Sequence, residues 1–104
     1  MVGVRFPSGL LSFPMKAFFV PYYVYILRSL KNGSFYKGST DNIDRRLAEH
    51  NSLKEKSTSR FAPWELCLVI EKPNRSEAVI LEKKLKNLNA EKTFAFINRY
   101  SEKM

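Results

Sequence analysis

One cysteine, one tryptophan and one histidine occur in 104 residues, and acidic side chains are scarce beside basic ones. A lone Cys67 excludes an internal disulfide partner and a cysteine-based zinc site, which takes several ligands at motif spacing. Its neighbours, Leu66-Cys67-Leu68-Val69-Ile70, predict a small buried core residue, and a reduced thiol suits the cytoplasm. Long apolar runs are missing too. The longest, Ala17 to Leu27, is too short to cross a bilayer, carries three tyrosines and is broken by Pro21. Residues 1–20 have only Arg5 and Lys16 as charges, and Pro7 and Pro14 interrupt any apolar signal core. Neither a membrane partner nor a secretory signal is expected. The 10 acidic residues face 18 Lys and Arg, a net charge of +8, which excludes an acidic tail protein.

What is present fits one core. At 44% hydrophobic and 13% aromatic, a chain of this length folds as a single domain. A small, strongly basic domain meets a polyanion; charge alone would suit nucleic acid first and an anionic membrane surface second, and nucleic acid is the partner expected. Residues 1–19 read as a poorly ordered N-terminal extension, with Met15 as a candidate start after the Pro- and Gly-punctuated segment 1–14. The patterned domain runs over 20–100.

Residues 20–28 are aromatic and β-branched, which predicts a buried strand. Asn32-Gly33 marks a hairpin, and residues 35–39 form the returning strand. Thr40 or Asp41 caps a helix running to about residue 51. A polar, basic loop covers 52–62, and 64–71 form a third strand opened by Trp64, taken as core. Residues 75–88 are an amphipathic helix with Ala78, Leu81, Leu85 and Leu88 on one stripe. A last short helix or strand covers 91–98. The order β-β-α-β-α-α predicts an α+β fold, a small three-stranded antiparallel sheet flanked by helices.

Four features carry chemistry. Tyr25 and Tyr36 lie on hairpin-joined strands, with Tyr23 on the face of Tyr25. Arg46 and His50 stand four apart on a helix, bordering its apolar Ile43/Leu47 stripe. A guanidinium fork suits phosphate, and imidazole titrates near neutrality. Glu82 sits at the margin of an apolar stripe, where a carboxylate needs a metal or an ion pair such as Lys86. Glu77 differs, because Asn74-Arg75-Ser76-Glu77 matches a capping box. Gly38-Ser39-Thr40 lead into a helix start whose amides attract phosphate.

Together these residues resemble the GIY-YIG nuclease family over about residues 20–88. Tyr23-Val24-Tyr25 and Tyr36-Lys37-Gly38 stand where the two signature triplets fall, followed by Arg46, His50 and Asn51 in the family's order. Glu77-Ala78 and Glu82 look like the metal-binding helix. Tyr23 replaces a glycine and Lys37 an isoleucine of the signature, and Asn87, Asn89 and Asn98 are candidates for a late asparagine. The chain is most similar to the short single-domain bacterial branch, which looks like the isolated N-terminal nuclease module of the excision-repair enzyme.

The resemblance implies a metal-dependent endonuclease acting on nucleic acid, with DNA as the expected partner. Tyr25, Tyr36, Arg46 and His50 would be catalytic, and Glu82 would hold a divalent cation, Mg²⁺ or else Mn²⁺. A tyrosine acting as base needs its pKa lowered from near 10. Lys37, Thr40, Arg45, Lys54, Lys56 and Arg60 would grip the nucleic-acid backbone. The five central residues are expected on one concave basic surface. The alternative is a non-catalytic nucleic-acid-binding domain that keeps the fold.

Overall fold

Successive side chains of the Tyr22–Ser29 strand are apolar on both faces, and such a strand needs cover on both sides. In the computed structural model this strand, β1 (Tyr22–Ser29), is central in a three-stranded antiparallel sheet. It pairs with β2 (Phe35–Thr40) on one side and β3 (Trp64–Lys72) on the other, in the order β2-β1-β3. The structure describes residues 20–52 and 56–102. The expected extension 1–19 and the expected contacts of Lys54 and of the Lys56 side chain lie outside the described residues.

The β1–β2 hairpin closes where Asn32-Gly33 predicted it. Gly33 takes a φ of 79°, a conformation that a side chain would oppose, and its N–H donates to Ser29 O at 2.8 Å. The first helix, α1 (Ile43–His50), follows β2. Its cap is Asn42 rather than Thr40 or Asp41: the Asn42 side chain accepts the Arg45 N–H at 3.0 Å. Thr40 is still paired in the sheet, so it is too far back in the chain to cap, and its Oγ1 accepts the Asn42 N–H instead.

The expected loop 52–62 contains one helical turn, α2 (Lys56–Ser59). Four residues carry too little periodicity to separate a turn of helix from a polar loop. The helix α3 (Arg75–Lys86) starts at Asn74, whose side chain accepts the Glu77 N–H at 2.9 Å. The final element is a helix, α4 (Ala90–Glu102), longer than the expected 91–98.

Two cores result, one per sheet face. Val24, Ile26, Leu68 and Ile70 pack under Ala78 and Leu85 of α3, with Phe96, Ile97 and Tyr100 of α4 against them. On the opposite face Tyr25, Leu27 and Trp64 pack with Ile43 and Leu47 of α1 and with Phe61.

Cys67 departs from its expected burial. Ile26 pairs with Leu68 but Leu27 pairs with Leu66, so Cys67 is the extra residue of a β-bulge. A bulged residue leaves the alternation that would send it inward, and Cys67 is only half-buried. Partial burial and the neighbouring Glu65 push its thiol pKa up, so it is a weak nucleophile.

Candidate active site

Strand register sets the site. Tyr25 stands opposite Gly38 and Leu27 opposite Tyr36, all projecting on the α1 face. Gly38 has no side chain, and the Tyr25 ring lies over it. A Cβ built there would approach the Tyr25 hydroxyl to 2.6 Å, its Cζ to 2.8 Å and the Tyr36 ring to 3.1 Å. Gly38 therefore serves as the floor that lets a central-strand tyrosine extend across β2. The phosphate-cradle expectation for Gly38 had no view of this approach, because it depends on a residue 13 positions away in the other strand.

From above, α1 delivers its last turn. His50 is completely buried and stands at the centre of an aromatic cluster. Its ring centroid lies 4.6 Å from that of Tyr36 and 6.5 Å from that of Trp64. Its Nε2 is 2.9 Å from the Tyr25 hydroxyl oxygen, and its Nδ1 is 2.9 Å from Thr58 Oγ1. One turn earlier, the Arg46 guanidinium lies near enough to the Tyr25 hydroxyl to pull its pKa down, and it donates from Nη1 to Glu49 at 2.8 Å.

Burial pushes the Tyr25 pKa up to about 12, against the guanidinium of Arg46, which pulls it down; Tyr36 and the Glu82 carboxylate add to the rise. At neutral pH the phenol keeps its proton. This reverses the lowered value that a base role calls for, because Tyr25 is only 2% exposed and the desolvation outweighs one guanidinium.

Glu82 arrives from the other side of the sheet. It belongs to α3, which packs on the Val24/Ile26 face, and it meets β2 through Ser39. Ser39 Oγ donates to Glu82 Oε1 at 2.6 Å, and Lys86 Nζ lies 2.9 Å from Oε2. Burial raises the Glu82 carboxyl pKa, but the hydrogen bonds from Ser39 and Lys86 and the charges of Lys86 and Lys83 outweigh it. The net value lies below the ordinary one. The five expected residues are thus not on one face. Tyr25, Tyr36, Arg46 and His50 stand on one side of edge strand β2 and Glu82 on the other, because adjacent residues of a strand point to opposite faces.

The expected backbone grips divide. Arg45 is exposed at an ion pair with Asp41, 2.9 Å apart, and Arg60 is exposed over the Phe61 ring. Lys37 points to the α3 face, where its Nζ donates to Leu88 O at 3.1 Å, and Thr40 is buried in its turn. Both make their observed contacts within the fold. The site also uses residues that sequence reasoning missed. Thr58 lies in a Lys-Ser-Thr-Ser run without periodicity, and nothing short of the fold places it on His50. Asn51, noted only for its order, brackets Trp64, accepting its N–H at 2.5 Å and donating to its carbonyl at 3.2 Å.

Among the described residues, no three His, Cys, Asp or Glu gather where they could hold a metal ion. The donor set at Glu82 is one carboxylate beside one hydroxyl, all hard oxygen. That suits Mg²⁺, which keeps several waters and takes one or two carboxylates rather than a protein cage. No helix among the described residues is long and apolar enough to cross a membrane.

Residues 21–95 match the GIY-YIG catalytic domain. The chain is 39% identical over 72 residues to the UPF0213 protein BH0048 of Halalkalibacterium halodurans, covering 68% of this chain and 76% of that protein. The solution NMR structure of the UPF0213 protein BH0048 from Bacillus halodurans is 35% identical. It covers 75% of this chain and 83% of that one, with a TM-score of 0.49. The chain is also 45% identical over 74 residues to the structure-specific endonuclease subunit SLX1 of Debaryomyces hansenii, 64% of this chain. The match spans about a fifth of that relative, 21% of its length. With the signature tyrosines, the arginine and the glutamate gathered at one sheet edge and residues 21–95 matched, the chain belongs to the GIY-YIG nuclease family.

Proposed function

We propose that this protein is a divalent-metal-dependent endonuclease that hydrolyses phosphodiester bonds in DNA. The observation that carries the reading is the Tyr25 hydroxyl, hydrogen-bonded to His50 and within the electrostatic reach of Arg46 and, across the edge of β2, of Glu82. Arg46 presents donors to the phosphoryl oxygens on which charge builds. Tyr25, a neutral phenol, orients an attacking water by accepting from it at its hydroxyl oxygen, with Tyr36 and His50 packed behind it. Glu82, steadied by Ser39, would hold Mg²⁺ on the carboxylate that Lys86 pairs with here. When bound, Mg²⁺ supplies Lewis-acid stabilisation of that same charge. Arg45 and Arg60 contribute affinity without reading sequence. A cytoplasmic setting fits the free thiol of Cys67.

The names of the SLX1 relatives, structure-specific endonuclease subunits, make branched DNA the first substrate to try. One observation favours a non-catalytic nucleic-acid-binding domain: Lys86 already neutralises the carboxylate that a metal would use. Incubation with labelled single-stranded, duplex and flap DNA in Mg²⁺, Mn²⁺ or EDTA separates the two. The expected result is cleavage that EDTA abolishes. Binding without cleavage of any substrate would favour the second reading. In the same assay Glu82→Gln should abolish cleavage with little loss of stability, and Arg46→Ala should slow it about 10²–10³-fold. Glu77→Gln should change neither activity nor stability much, since it leaves the backbone N–H bonded to Asn74 untouched.

A further inference from the structure

The buried Tyr25 hydroxyl meets the imidazole of His50, whose nitrogens can either donate or accept. The nearby Arg46 guanidinium carries donors and no acceptor, so it offers nothing to the phenolic proton. The phenolic proton then needs its own acceptor inside a cluster where Tyr25 is 2% and His50 0% exposed, because a buried donor without a partner is costly. The neighbour in range is His50 Nε2, at 2.9 Å. An Nε2 that accepts carries no hydrogen, so the imidazole hydrogen sits on Nδ1. Nδ1 faces Thr58 Oγ1, also at 2.9 Å.

We infer that Thr58 is a positioning residue of the site: by accepting the Nδ1–H of His50 it fixes the tautomer whose bare Nε2 takes the Tyr25 proton, and so aims the phenolic oxygen at Arg46. The inference rests on the nuclease reading for its consequence, and on geometry alone for the tautomer. Thr58 is itself held from three sides. Its side chain is on His50, and its carbonyl accepts the Trp64 indole N–H at 2.9 Å and the Phe61 N–H at 3.1 Å. Phe61 O in turn accepts from Ser29 Oγ at 2.6 Å, which ties the α2 segment to the end of β1. The single turn of α2 thereby sets the orientation of a side chain on the central strand. Arg60 lies two residues beyond Thr58, so contact with the substrate backbone and orientation of the phenol share one short segment.

His50 is the only histidine, so ¹⁵N-histidine labelling of the full chain reports one imidazole. Long-range ¹H–¹⁵N correlation spectra should show the Nδ1-protonated neutral pattern in wild type and in Thr58→Ser. Thr58→Val, which removes the acceptor, should move the hydrogen to Nε2. On flap DNA, Thr58→Val should lower kcat about 10-fold or more with KM little changed, and Thr58→Ser should restore kcat. Thr58→Cys, close in volume and a poor acceptor, should follow valine and replaces it where valine fails to fold. Wild type with hydrogen on Nε2, or on both nitrogens, would overturn the inference. So would a Thr58→Val or Thr58→Cys protein with unchanged tautomer and unchanged kcat. If wild type cleaves no DNA, the nuclease reading fails, and the imidazole pattern still decides the Thr58 assignment.

Discussion

At Gly38 a single methyl group tests how Tyr25 reaches the sheet edge. A Cβ at 2.6 Å from the hydroxyl and 2.8 Å from Cζ leaves no rotamer for a ring walled by Tyr36 and His50, so the ring must swing away. Gly38→Ala should destabilise by about 1–3 kcal/mol, as overpacking does, measured by urea denaturation. Its activity should fall further than its stability, because the displaced hydroxyl leaves both Arg46 and His50. Tyr25 also carries a titration signature. Its folded pKa of about 12 lies above the ordinary 10.0, so its contribution to stability is complete below pH 10 and is lost as pH rises toward 12. The tyrosinate absorbance of wild type minus that of Tyr25→Phe should rise with a midpoint near 12. A midpoint near 10 would mean that the hydroxyl is solvated.

Among the elements, α3 does two jobs, covering one core and presenting Glu82. Its start depends on Asn74, an exposed side chain with one visible task, so Asn74→Ala should cost about 1 kcal/mol and Asn74→Gly only a few tenths. Thermal denaturation checks this, since a loss of that size lowers Tm by about 4–8 °C in a domain of about 100 residues. The next turns hold the Glu82–Lys86 pair. Glu82 titrates below its ordinary 4.5, so its contribution is present above pH 4.5 and is lost as pH falls through the lower folded value. Lys86 is raised above 10.5, first by the bond to Glu82, so its share is present below that pH and is lost on the alkaline side. Lys86 is half-exposed, and a double-mutant cycle on the pair should return less than about 1 kcal/mol.

Across the whole molecule the charge of +8 bears on affinity rather than on fold. Arg45 and Arg60 are exposed, and Arg46 borders the tyrosine cluster. Three phosphate contacts from these residues would give a slope of about −2.7 in log K against log salt, about a 40-fold loss between 50 and 200 mM. Binding of duplex DNA by the cleavage-deficient Glu82→Gln protein measures it. Arg45→Ala with Arg60→Ala should flatten the slope by about 1.8. Salt-independent binding would move the nucleic-acid surface elsewhere.

Residue order determined the elements that local chemistry decides. Asn32-Gly33 sets a positive-φ turn, the doubly apolar Tyr22–Ser29 run demands a central strand, and Asn74 opens a helix, each through forces acting within a few residues. The signature tyrosines, Arg46, His50 and Glu82 were legible as a set through the resemblance to the GIY-YIG family, while strand and helix periods placed each only within its own element. Other features were decided by partners distant in sequence. Cys67 left the core because β3 slips by one residue against β1, and Lys37 and Thr40 turned to the fold because of α3 and the α1 cap. Thr58 met His50 only through α2. The tertiary structure also split the site across the edge of β2, with Gly38 as the gap through which Tyr25 extends. Strand alternation, which a sequence shows, sends Tyr25 and Ser39, the partner of Glu82, to opposite faces. Whether opposite faces can still share one edge depends on which strand is outermost, and long-range pairing alone decides that.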